Sequence, residues 1–454
     1  MNRHHFRQST FWERVRATKS IRIGSILAIL LVLVCLVPIS IARPAGAIFS
    51  TSNPIKHIVI MVKENRSFDD LFGTFPGANG ATTYKDPHGK IHPLNHQPDR
   101  LFSDIAHDHP AFLNAYDHGK MDGFSNIVGA IQYINGKKVD EADSQFYQSD
   151  IPNYWQYAQT FALPDNFFYA VRSDSFPNHL FTIAGEDDDV AGLPSSNQGL
   201  NIRWGCDAPK ASRVKEIHPN GKVSHVFPCF SDFQTMGDLL SANNISWKYY
   251  APGQDQNGYQ YSTYDAIKDI RETQQWKQHV FDYTLFAKDA AAGKLPTVSW
   301  LVQPDAISDH PGASMCAGEN WTVSQINAIM QNSALWQSTA ILLTWDDFGG
   351  VYDHVVPPVG PNKYLEYGFR APLILISPYT KPHYIDHTQY TFPSMLKFVE
   401  TVLHLPSLGG LDKSANDLVH AFNFNQKPLS PLILKQRTCP KSSDGPVAHF
   451  LDQS

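Results

Sequence analysis

Four runs of near-continuous apolar, β-branched-rich residues break off abruptly into polar ones. His57–Lys63 (HIVIMVK) runs into Glu64-Asn65-Arg66-Ser67, and Thr297–Val302 (TVSWLV) into Gln303-Pro304-Asp305. Ala340–Trp345 (AILLTW) runs into Asp346-Asp347, and Pro372–Ile376 (PLILI) into Ser377-Pro378. Runs of this kind mean strands buried on both faces, as in a parallel sheet. Stretches with helical spacing lie between them, among them Phe233–Ala242 and Ser324–Gln337. The alternation predicts an α/β fold with a mostly parallel central sheet and helices on both faces. In such sheets ligands bind beyond the carboxyl ends of the strands, and the polar clusters are expected at that end.

Residues 80–150 and 186–232 have a different texture, rich in Asp, His, Asn, Gly and Pro and poor in periodic apolar runs. They are expected as long loop insertions over the crevice of one catalytic domain, 48–430. Residues 431–454 read as a carboxy-terminal tail, tied down through Cys439. The amino terminus is separate. Residues 1–22 carry six basic side chains against Glu13, Ile23–Ala42 is twenty uncharged residues, and Ala45-Gly46-Ala47 fits a cleavage site. That pattern predicts a signal peptide over 1–47 and a secreted chain. An uncleaved anchor through residues 23–42, with the remainder outside the cell, is the competing reading.

Composition narrows the classes. Over 454 residues, 42% hydrophobic and 12% aromatic content excludes wholesale disorder. Leaving out residues 1–47 removes seven basic groups and one acid, so 30 basic side chains face 42 acidic ones at a net charge of −12. That argues against nucleic acid as a partner, which needs a basic field. No obligate protein partner is evident. Four cysteines remain, Cys206, Cys229, Cys316 and Cys439. Three pairings are open, and Cys206–Cys229 is favoured because both lie in one Pro/Gly-punctuated stretch.

The candidate chemistry sits at the strand ends. Two adjacent carboxylates, Asp346 and Asp347, repel each other at a buried position unless a divalent cation neutralises them. Glu64 and Asn65 offer further oxygen ligands. Oxygen-rich ligands suit Mg²⁺, Ca²⁺ or Mn²⁺, with Zn²⁺ also open. Ser175 precedes Phe176-Pro177-Asn178, where Pro177 suits a first helical turn and Ser175 the cap region. An ordinary N-cap serine and a nucleophile are both compatible with that placement, and Ser173 is its near neighbour. Among twenty histidines, His107, His109, His118, His310 and His354 lie beside Asp, Pro or Gly in loop-like sequence.

Together these residues carry a resemblance. Lys56–Gly73 (KHIVIMVKENRSFDDLFG) resembles the opening motif of the bacterial phosphoesterase family, which holds phosphatidylcholine-cleaving phospholipases C and AcpA-like acid phosphatases within the alkaline phosphatase superfamily. It continues through Gly119–Phe124 (GKMDGF), Ser175–Leu180 (SFPNHL), Ser246–Tyr250 (SWKYY), Thr344–Val355 (TWDDFGGVYDHV) and Gly368–Pro378 (GFRAPLILISP), over roughly residues 52–402. The resemblance implies an alkaline-phosphatase-like α/β sandwich and a phosphoserine mechanism. It implies Ser175 as nucleophile, and Glu64, Asn65, Asp346 and Asp347 as metal ligands, with Asn65 also touching phosphate. It implies His107, His310 and His354 around the phosphate pocket, as catalytic or binding groups, with His310 donating to the phosphate or leaving oxygen. The chain departs from the pattern twice. His179 stands where many relatives have arginine. The HDHPAF stretch lacks a tryptophan common there, which leaves His107 and His109 undistinguished. The expected activity is exported, metal-dependent phosphate ester hydrolysis, on a phospholipid or a small phosphomonoester. A phospholipase adds transient membrane contact, and the aromatics of the first insertion (Phe102, Phe112, Tyr116, Phe124, Tyr133, Phe146, Tyr147) suit a lipid or an aromatic leaving group without choosing between them. The reading from another class is an inactive exported binding protein on the same fold.

Overall fold

Along the central strands, successive side chains enter opposite apolar layers. In β1 (His57–Lys63), Ile58, Ile60 and Val62 face one layer, and Val59 and Met61 the other. A strand with no polar face must be covered twice, and the unbroken apolar runs encode that. The computed structural model describes residues 53–196, 199–200, 203–360 and 366–440. The signal or anchor segment therefore lies outside the described residues, as does the end of the tail.

The remaining strands of the central sheet are β2 (Ala162–Pro164), β3 (Trp247–Ala251), β4 (Val280–Asp282), β5 (Val298–Leu301), β6 (Thr339–Trp345), β7 (Leu373–Ile376) and β8 (Tyr384–Asp386). Their order is β4-β3-β5-β1-β6-β7-β2-β8. The first five are mutually parallel. β7 runs antiparallel to both neighbours, and β8 pairs parallel with β2. The fold is thus mixed α/β with a large, mostly parallel sheet. The direction of β7 corrects one expectation. Ser377 Oγ donates to the carbonyl oxygen of Thr339, at the start of β6, so Ser377-Pro378 lie at the opposite end from Asp346-Asp347. An apolar run carries no mark of its direction; pairing decides it.

Six helices matter to the site: α1 (Phe68–Phe72), α2 (Pro152–Thr160), α3 (Ser175–Leu180), α4 (Met236–Ala242), α5 (Met315–Gln331) and α6 (Phe392–Leu403). Leu180, Leu240 and Leu396 lie in one apolar layer, with Leu71, Trp155 and Ile326 in the other. The Phe233–Ala242 pattern is shorter than expected, because Thr235 caps it in a reciprocal box with Asp238. The Ser324–Gln337 pattern is two helices. Extended Asn332 ends α5 and caps Ser333–Trp336 by accepting from Leu335 N–H. Among the described residues no helix is long and apolar enough to cross a membrane.

Within 80–150 two short antiparallel ribbons, at 83–93 and 131–140, accompany a helix over His109–Tyr116. Within 186–232 there is a ribbon at 214–226. The favoured Cys206–Cys229 bridge is present, and Cys316 pairs with Cys439. The segment before Cys439 lies along α5. Asn327 exchanges two hydrogen bonds with the Leu434 backbone, Asn320 does the same with Arg437, and Arg437 Nε donates to Glu319 Oε2 at 2.6 Å.

Candidate active site

β1 and β6 are adjacent and parallel, with Lys63 opposite Trp345, so Glu64-Asn65 and Asp346-Asp347 emerge side by side. Asn65 turns out of its strand through the left-handed region, at φ 53°. Its N–H donates to Asp346 Oδ1 at 2.8 Å. Its Nδ2 donates to both oxygens of Asp347 at 2.9 Å and to Ser175 Oγ at 3.2 Å. Gly349 also has positive φ and donates to Asp347 Oδ1 at 2.8 Å; a Cβ there would meet Asn65 O at 2.3 Å.

Ser175 begins α3, and Asp174 takes the cap position without a side-chain cap bond. The Ser175 hydroxyl is not used as a cap. It lies 3.4 Å from Glu64 Oε2 and 3.3 Å from Asp347 Oδ2. Ser173 instead donates to Asp174. Two buried carboxylates thus meet at one hydroxyl, with a third, Asp346, beside them. Burial, followed by the charges of Asp346 and Asp347, pushes Glu64 far above the usual carboxylate range. Burial and Asp346 push Asp347 the same way, against the opposing effect of His107. Asn65 Oδ1 and Asp346 Oδ2 are buried without a hydrogen-bond partner. Clustered anionic oxygens and orphaned acceptors are what a divalent cation satisfies, so the residues present fit one.

His107 and His310 form a second group with Asp104, their rings 5.5 Å apart. Their Nδ1 atoms hydrogen-bond to the carbonyl oxygens of Ile105 and Pro311. Burial favours the neutral His107 ring, but Asp347 and Asp104 outweigh it and raise the pKa to about 9. His109 is distinguished from His107 here, because it bonds to the Arg172 carbonyl. His118 is exposed at a helix end. His354 joins a third group. It bonds to Asp69 Oδ2 at 2.6 Å, while fully buried Arg370 bridges Asp69 and Asp353. Its hydrogen bonds run to Asp69, Asn79 and Arg370 and to no member of the Ser175 group.

Two features escaped the sequence reading. Buried Lys63 donates to Ile307 O at 2.6 Å and pairs with Asp309 at 3.4 Å, fastening the His310 loop to the end of β1. His179 enters the carboxylate cluster, with Nε2 2.9 Å from Glu64 Oε1. Burial holds its pKa below the ordinary value. Its spacing four residues after Ser175, one helical turn on, was the available signal.

The Phosphoesterase family model matches residues 55–406. The chain is similar to "Phospholipase C A" of Mycobacterium tuberculosis, 25% identical, over 83% of this chain and 78% of the relative. It is similar to "Non-hemolytic phospholipase C" of Pseudomonas aeruginosa, 23% identical, over 87% of this chain and 61% of that longer protein. "Non-specific phospholipase C4" of Arabidopsis thaliana is 25% identical over 78% and 69%. Among solved structures, an alkaline phosphatase superfamily protein from Vibrio parahaemolyticus is 10% identical, with a TM-score of 0.36 over 79% of this chain and 70% of that one.

Proposed function

Because the chain belongs to the Phosphoesterase family and is a hydrolase of phosphoric esters, we propose that it acts outside the cell through a phosphoserine formed on Ser175. The observation that carries this reading is how the Ser175 hydroxyl is used. It bonds to Glu64, Asn65 and Asp347, not to the free N–H groups of its own helix. A cap serine does the opposite.

Glu64, Asn65, Asp346 and Asp347 would hold the divalent cation. Its chemistry, when bound, is Lewis acidity toward the hydroxyl and a phosphoryl oxygen. The chain's own residues do the rest. Glu64 Oε2 and Asp347 Oδ2 both lie where they can accept the Ser175 proton. Asn65 Nδ2 fixes the hydroxyl and can donate to the phosphate. His107, whose charge acts on Asp347, and His310 beside it would donate to the phosphate, His310 also to the leaving oxygen. Water then cleaves the phosphoserine from the opposite side. His354 acts from behind, holding Asp69 and the backbone around it. The two disulfides suit an oxidising compartment.

On substrate, the names of the relatives favour a phospholipid headgroup ester, with a small phosphomonoester as the other reading. A screen with p-nitrophenyl phosphorylcholine and p-nitrophenyl phosphate, each with and without chelator, tests both. Chelator-sensitive release of nitrophenol from the choline diester is the expected result. Release from the monoester alone would move the substrate to small phosphates, and no release from either would sink the reading.

A further inference from the structure

His179 is 2% exposed, and its Nε2 lies 2.9 Å from Glu64 Oε1 and 3.6 Å from Asp346 Oδ2. That Asp346 oxygen has no hydrogen-bond partner. Glu64, His179 and Asp346 each present one donor atom, all within 4.8 Å of one another. That is close to the span of ligands standing about 2.0–2.3 Å from one cation. The imidazole is also held in plane, stacked on Tyr261 at 5.6 Å and 16°. A ring fixed this way presents its nitrogen to the carboxylates and does not swing clear of them. The other oxygen of Glu64 faces the Ser175 hydroxyl at 3.4 Å. The nitrogen therefore shares a carboxylate with the nucleophile.

We infer that His179 Nε2 is a ligand of the catalytic cation, beside Glu64 and Asp346, and that it selects Zn²⁺ over Mg²⁺ and Ca²⁺. The inference rests on the metal-dependent reading above. Mg²⁺ and Ca²⁺ take oxygen donors almost exclusively, whereas imidazole nitrogen suits Zn²⁺. An all-oxygen set would leave these ions in open competition. One nitrogen in the set breaks the tie.

Two measurements test it, neither of them an activity. In zinc-soaked crystals of the wild-type chain, the anomalous zinc peak should stand about 2.0–2.1 Å from His179 Nε2. In solution, chelator-stripped wild type and His179→Gln are compared by competition titration with Zn²⁺ and Ca²⁺. The variant should lose about 100-fold in zinc affinity and change by less than about twofold for calcium. A zinc peak on Glu64 and Asp346 with Nε2 more than about 3 Å away makes His179 a positioning residue and overturns the inference. So does an equal loss for both cations. Failure of any cation to bind the wild type removes the metal reading itself. The crystallographic measurement needs no variant, so misfolding of His179→Gln leaves the question answerable.

Discussion

At the scale of single residues, the proposed chemistry turns on one hydroxyl in a cluster of three buried carboxylates. Ser175→Ala should lower turnover of every phosphate ester by about four orders of magnitude or more, with near-UV circular dichroism unchanged. Ser173→Ala should keep near-normal rates, because its hydroxyl bonds to Asp174 and not to the cluster. Reversed outcomes would move the nucleophile to Ser173. The carboxylates make a separate prediction. Asp347→Asn removes one charge from a site where Glu64 and Asp346 crowd it. It should weaken cation binding by about tenfold or more, yet leave the stripped protein as stable as wild type or more so. Thermal melts with chelator and with excess cation read both effects. Stripped Asp347→Asn melting several degrees below stripped wild type would contradict the repulsion argument. Glu64, Asn65, Ser175, Asp346 and Asp347 were legible in the sequence, since each closes an apolar run or opens a helix turn. His179 was not. One histidine inside an apolar stretch reads the same whether it packs or ligates.

At the scale of elements, the turn after β6 is where backbone conformation meets the site. Gly349 and Gly409 both have positive φ, 58° and 98°. Only Gly349 is crowded, with Asn65 O 2.3 Å from a Cβ position; around Gly409 there is open space within 4 Å. Gly349→Ala should therefore destabilise by about 3 kcal/mol and misplace Asn65, while Gly409→Ala costs about 1 kcal/mol. Urea denaturation of the two variants checks the contrast, and equal losses would reject it. The stability that helix α5 contributes depends on pH. Burial pushes Glu319 up to about 7, against hydrogen bonds from Tyr154, Asn153 and Arg437. With the folded-state pKa above the unfolded one, its contribution is fully present below the ordinary 4.5 and is lost as pH rises through about 7. Glu319→Gln should flatten that loss, so the fall in melting temperature between pH 5 and 8 becomes smaller than in wild type. An unchanged fall would show that Glu319 does not carry it. Short elements were the ones the sequence hid. Ala162–Pro164, Val280–Asp282 and Tyr384–Asp386 have three residues each, too few to show a period.

At the scale of the whole molecule, the Cys316–Cys439 bridge closes a separation of 123 residues, against 23 for Cys206–Cys229. In the chain-entropy model these contribute about 5 and about 3 kcal/mol. Replacing Cys316 and Cys439 together by Ser should lower the melting temperature more than replacing Cys206 and Cys229. Peptide mapping without reduction should recover both bridges. Alkylation of all four thiols in native protein would reject them. The segment from Leu429 to Cys439 binds α2 and α5 from outside, through Asn153, Asn320 and Asn327.

The sequence by itself determined the layer architecture and the main chemical group. Long apolar runs demand cover on both faces, and polar residues at their ends are left at the rim where the strands stop. Glu64, Asn65, Asp346 and Asp347 follow from that local logic. Only the tertiary structure decided what depends on which segments become neighbours. It reversed β7, because strand direction is set by pairing and not by composition. It separated His107 from His109 and placed His354 with Asp69 and Arg370. It also brought His179 against Glu64 across 115 positions of chain. A hydrogen bond or a ligand set is a relation in space, and a residue's spacing along the chain fixes that relation only within one helix or one strand.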